Sequence, residues 1–210
     1  MADWATISAL ATGGGTLVLA AATFASVRSG NRTARLAERS LLANIRPLLL
    51  PSRLDDSPQK VTFVEGKVVV VPGGSGVAEV TGDAIYLALS LRNAGSGVAV
   101  LHAWHFYGEW QSARDDPPEP EQLTRLTRDL YIAVGDLGFW QGTFRDPDSE
   151  EFAAAVKAIR ERDALTVDVL YGDFEGGQRT ITRFSMLPRQ DDGWLVGVAR
   201  HWNIDRDDPR

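Results

Sequence analysis

Three different rhythms of apolar and polar residues follow one another along this chain. Residues 4–27 (WATISALATGGGTLVLAAATFASV) are uncharged throughout, and Arg28, Arg32, Arg35 and Arg39 follow at once. A bilayer core of about 30 Å needs about 20 helical residues, so this run predicts a membrane anchor over residues 1–27. Ala34, Ala37, Leu41, Ile45 and Leu48 then recur at spacings of three and four, predicting a juxtamembrane amphipathic helix over 28–46 that ends before Pro47. From residue 47 the period falls to two. Ile85, Leu87, Leu89 and Leu91 alternate with Tyr86, Ala88, Ser90 and Arg92, and Leu165, Val167, Val169 and Tyr171 alternate with Thr166 and Asp168.

Trp194, Val196 and Val198 keep the same rhythm. Further strands are expected at 48–54, 61–71, 98–110, 129–134, 138–144 and 179–187, with an exposed loop at 111–122 and a short, flexible loop at 72–76. One helix interrupts the strands. Asp146 to Glu151 supplies an N-cap and acids at the positive end of its dipole, and Phe152, Val156 and Ile159 form its apolar stripe. The fold class expected is mainly β: an N-terminal transmembrane helix and a juxtamembrane helix, then an antiparallel immunoglobulin-like β-sandwich over 47–205 with one inserted α-helix. Residues 206–210 are expected to be a disordered tail.

Charge refines this picture. Up to residue 46 there are five arginines against Asp3 and Glu38, whereas the remainder carries 17 basic and 26 acidic residues in a chain of net charge −6. Arginines flanking a span tend to stay in the cytoplasm, so the expected topology is N-terminus outside and C-terminal domain inside, at the plasma membrane. Met1, Ala2 and Asp3 lack the positive charge that opens a secretory signal. The acidic domain would be repelled by phosphate backbones, which argues against nucleic acid as a partner. The absence of cysteine fits a reducing compartment.

Candidate chemistry is sparse. On an unbroken strand His102 and His105 would project to opposite faces, and His201 would have to reach one of them across the sheet to build a metal-assisted or hydrolytic site. Asp173 and Glu175 fall in a Gly-rich turn and are expected to be exposed. No Gly-x-Ser-x-Gly elbow occurs, and Val68 to Ala78 lacks the helix that a phosphate-cradling loop requires. No catalytic residue, cofactor or metal ligand is assigned. Even-numbered spacing places Trp104, Phe106 and Trp110 together. Trp104, Trp110, Arg200 and Trp202 are the residues expected to form an interaction surface for a protein partner.

The stretch LSLRNAGSGVAVLHAW resembles the strand, Asn-x-Gly turn and strand pattern of immunoglobulin-like and fibronectin-like bacterial modules. Ile45-Arg46-Pro47, RNAGSG, LYGDFEGGQRTITRF and RHWNID together resemble uncharacterised single-span bacterial membrane-anchored proteins. That resemblance implies architecture and no mechanism. The expected role is a non-catalytic interaction module, with an enzyme or a structural envelope-associated protein as alternatives. Small residues at Ala9, Gly13 and Gly14 would let two spans approach, so a homodimer through the span and juxtamembrane helix is the second expectation after a lone lipid-facing anchor.

Overall fold

A computed structural model describes residues 3–190 and 193–205; the side chains of residues 5–11 and 39, and the expected tail at 206–210, lie outside the described residues. The chain divides into two compact units, Met1–Ala43 and Asn44–Arg210. The first is nearly all of one helix, α1 (Trp4–Asn44). The expected anchor and juxtamembrane helix are therefore continuous, because no proline interrupts them before Pro47. Among the described residues no helix is long and apolar enough to cross a membrane. Gly13 to Gly15 and the threonines beside them dilute the run, while Ile7 and Leu10 belong to the side chains left outside the description.

The second unit is mainly β. Its strands are β1 (Leu49–Pro51), β2 (Gln59–Thr62), β3 (Val68–Val71), β4 (Ser75–Thr81), β5 (Ala84–Asn93), β6 (Ala99–Tyr107), β7 (Thr124–Ile132), β8 (Leu137–Phe144), β9 (Leu165–Gly172), β10 (Arg179–Pro188) and β11 (Trp194–Asn203). A helix, α2 (Glu150–Glu161), joins β8 to β9. Nine strands form one antiparallel sheet in the order β1-β5-β4-β11-β10-β9-β6-β7, with β8 on the other edge of β5. The bonded path is thus single, where an immunoglobulin-like sandwich divides into two sheets. It nevertheless folds over on itself in a sandwich-like way: the Trp104 ring of β6 lies 5.3 Å from both Trp140 and Phe144 of β8, which sits near the far end of the path.

The alternation explains the core. Leu87, Leu89 and Leu91 of β5 meet Val167, Val169 and Tyr171 of β9 and Phe184 and Met186 of β10 inside the fold. Helix α2 closes onto this core through Phe152, Ala155, Ala158 and Ile159, and Ser149 caps it by accepting the Phe152 amide. Where a single strand was expected over 61–71, Gly66 at φ 81° turns the chain back and gives the β2–β3 hairpin. That hairpin covers the second face of β5, burying Tyr86 and Ala88 beneath Val61, Phe63, Val69 and Val71. The 72–76 segment is likewise no free loop, since buried Ser75 and Gly76 open β4 and pair with Leu195 and Trp194.

Candidate functional site

The four segments that carry the resemblance to single-span proteins converge at one end of the β domain. Ile45 to Leu48 cross this end on leaving the helix, and the turn after β5 lies against them. The Asn93 side chain organises the turn. Its amide donates to the carbonyls of Gly97 (2.6 Å) and Ile132 (3.0 Å), and its Oδ1 accepts the amides of Gly95 and Leu48. Gly95 and Gly97 press on the backbone of residues 45–48 so closely that a Cβ on either would fall well under the 3.0 Å that real Cβ atoms keep. The turn, which the sequence presents as local turn chemistry, is a clamp on the chain entering the domain.

Arg46 extends the clamp by donating to Asn203 Oδ1. Beside it, fully buried Tyr171 bonds in two directions: its hydroxyl accepts the Leu49 amide and shares a hydrogen bond with Thr182, whose hydroxyl in turn meets His201 Nδ1 at 2.7 Å. Burial pushes the Tyr171 hydroxyl up, so it stays a neutral phenol in this network. The arrangement fixes backbone positions. Thr182 beside His201 is the one hydroxyl–imidazole pair in this network, but Thr182 is fully buried and its hydroxyl is engaged with Tyr171.

A second polar centre lies where β6, β9, β10 and β11 adjoin. Arg183 and Asp168 face each other across β9 and β10 with no solvent exposure, joined through Nε (2.9 Å) and Nη2 (2.7 Å). Desolvation pushes the Asp168 carboxyl up, against the pull of the Arg183 guanidinium that pairs with it. The guanidinium also stacks between Tyr107 and Trp202 and donates to the carbonyls of Ser112, Asp115 and Asp116. Arg200 adds a bond to the Ala113 carbonyl, and His105 Nδ1 meets the Gln122 carbonyl at 2.9 Å. The acidic, Pro-rich 111–122 segment is therefore pinned to the sheet by its main chain, although most of its side chains are exposed. An aspartate flanked by valines in β9 and an arginine amid the apolar residues of β10 were the available signals for this pair.

The expected surface residues separate. Trp104 is in the core and Trp202 is buried under Arg183 and Arg200, because a protonated guanidinium over an indole covers it as well as apolar packing does. Trp110 lies past the end of β6 and is 56 % exposed. The four therefore do not form one patch. The histidine geometry also changes: β6 bulges between Leu101 and Ala103, so His102 is skipped in both of its ladders. The bulge shifts the parity, since Leu101 and Trp104 both enter the core. His102 lines an outer cavity with Leu123, Arg125 and Leu170. Among the described residues no group of three His, Asp or Glu side chains could hold a metal ion. Asp173, expected in an exposed turn, is 2 % exposed because its Oδ1 accepts the Gly177 amide and folds the turn over it.

No protein-family model, curated protein or solved structure matches this chain.

Proposed function

We propose that the protein is a membrane-anchored, non-catalytic interaction module, with α1 crossing the plasma membrane, the N-terminus outside and the β domain in the cytoplasm. The observation that carries this reading is the uncharged run of residues 4–27 ended by arginines on one side only. It is supported by the exposure of Leu17, Val18, Leu19, Phe24 and Val27, between 56 % and 73 %, along a helix with no apolar cover among the described residues. A helix apolar around its circumference needs hydrocarbon or protein about it. The clamp on Ile45 to Leu48 holds the first residues of the β domain in place, which supports the reading of a tethered module. What supports an immunoglobulin-like kinship is the Asn93 turn between two core strands; the single continuous sheet separates it from the strict form.

Membrane residence has a direct test. The full-length chain should remain in the membrane pellet after alkaline carbonate extraction. A Leu17→Asp, Leu19→Asp variant should move to the soluble fraction or be degraded, since each aspartate at a helix centre costs about 2.5 to 3.5 kcal/mol on insertion. Recovery of the unaltered chain in the soluble fraction would contradict the anchor.

A further inference from the structure

The folded sheet ends in two strands that meet without bonding. β8 pairs with β5 from Leu137 to Phe144 along one edge, and β7 pairs with β6 alone. Among the described residues no ladder joins β7 to β8, although only residues 133–136 separate them in sequence. β7 is itself held loosely. It pairs with β6 at Leu130 to Ile132 and again at Thr124 and Arg125, so Leu126 to Asp129 bow out without partners on that strand. The result is a seam of unpaired main-chain groups between two edge strands of the sheet.

Three features of the seam point to an occupant. A cavity of about 110 Å³ lies within it, floored by Trp104 and lined by Gln141, Gly142 and Thr143 of β8. Gln141 is only 8 % exposed, yet its Oε1 has no hydrogen-bond partner, which in a buried position asks for an N–H from elsewhere. The same lining carries Arg125, Arg128 and Arg145, a concentration of positive charge on a domain that is otherwise acidic. Arg145 is paired with Glu65 and Arg128 leans to the Thr62 carbonyl, whereas the Arg125 side chain makes no hydrogen bond or ion pair among the described residues. Exposed arginines along an edge discourage a second, like-charged edge and favour an acidic one.

We infer that the seam between β7 and β8 receives an extended acidic segment of a protein partner, which adds a strand to the free edge of β8. The segment's main chain pairs with β8, one of its amides reaches Gln141, and its carboxylates face Arg125 and Arg128. The bowed middle of β7 gives way to admit it. This inference rests on the reading of the domain as an interaction module and gives its partner a chemistry.

The test uses full-length protein in detergent and a nine-residue synthetic peptide alternating glutamate with valine and threonine, titrated by calorimetry. Three controls accompany it: a peptide with lysine for glutamate, a copy methylated on every backbone nitrogen, and an Arg125→Glu, Arg128→Glu variant. Both arginines are exposed, and Arg125→Ala alone serves should the double variant fail to fold. The acidic peptide should bind, the lysine and N-methylated peptides should not, and charge reversal should weaken binding by about tenfold or more. Equal binding of the N-methylated peptide would reduce the effect to bulk charge and overturn strand addition. Absence of binding to folded protein would overturn the proposal too, as would self-association abolished by the charge reversal, which would make a second copy the occupant. Carbonate extraction reads the anchor independently, so failure of the seam is distinguishable from failure of the membrane reading.

Discussion

Replacing Gly97 by alanine is expected to destabilise the β domain by about 3 kcal/mol or more, at the upper end of what overpacking costs. The added methyl would overlap the carbonyl carbon and oxygen of Ile45, which are backbone atoms with no rotamer to yield. Relief requires moving either the Ile45–Leu48 segment or the turn. Moving the turn breaks the bonds of the Asn93 side chain to Gly97, Gly95, Leu48 and Ile132. Gly197→Ala is the matching control, because nothing lies within 4 Å of a Cβ at that position in β11. Its effect should stay within about 0.5 kcal/mol, as for a surface change without steric cost. Denaturant unfolding followed by tryptophan fluorescence compares the two, and equal midpoints would show that the clamp does not bear on stability.

Removing half of the buried ion pair should cost as much or more. Arg183→Met leaves the Asp168 carboxylate inside the protein without its cation and takes the donor from the carbonyls of Ser112, Asp115 and Asp116. A buried charge stranded in this way costs about 3 to 5 kcal/mol, whereas replacing both partners by apolar residues is often close to neutral. The double variant Asp168→Leu, Arg183→Met should therefore recover most of the loss in unfolding experiments. It should not recover the loop. Without the guanidinium the 111–116 main chain loses three of its attachments, keeping the Arg200 bond to Ala113 and the Gln111 amide bond to Thr166, so limited proteolysis should cut there faster in both variants than in the unaltered chain. A double variant no more stable than Arg183→Met would contradict the stranded-charge account, and unchanged cleavage would contradict the role of Arg183 as the loop's anchor.

Legibility in the sequence followed the physics of each element. Period-two alternation marked β5 and β9 well because each has one face in a large apolar core, and Ser149 with its acidic followers marked the start of α2. The 61–71 strand failed because the valines on either side of Gly66 hide a hairpin whose two halves are equally apolar. β4 was hidden by Gly73, Gly74, Ser75 and Gly76, whose composition reads as loop although the chain there is buried against its neighbours. The bulge at His102 had no local signature, and one extra residue was enough to reverse the facing expected of His102 relative to His105, while Trp104 and Phe106, both beyond it, still share a face. The site was least legible of all. Asn93, Arg46, Tyr171 and Asn203 were visible as parts of separate motifs, yet their meeting depends on strands brought together from across the chain, which period and spacing do not encode.

The central claim is a cytoplasmic domain tethered by a single N-terminal span, and the location of the C-terminus tests it most directly. Paired reporters fused after Arg210, one active only outside the membrane and one only inside, should give signal from the cytoplasmic reporter alone, as the arginines after residue 27 require. Signal from the external reporter alone would contradict the account and place the β domain, with its seam, outside the cell.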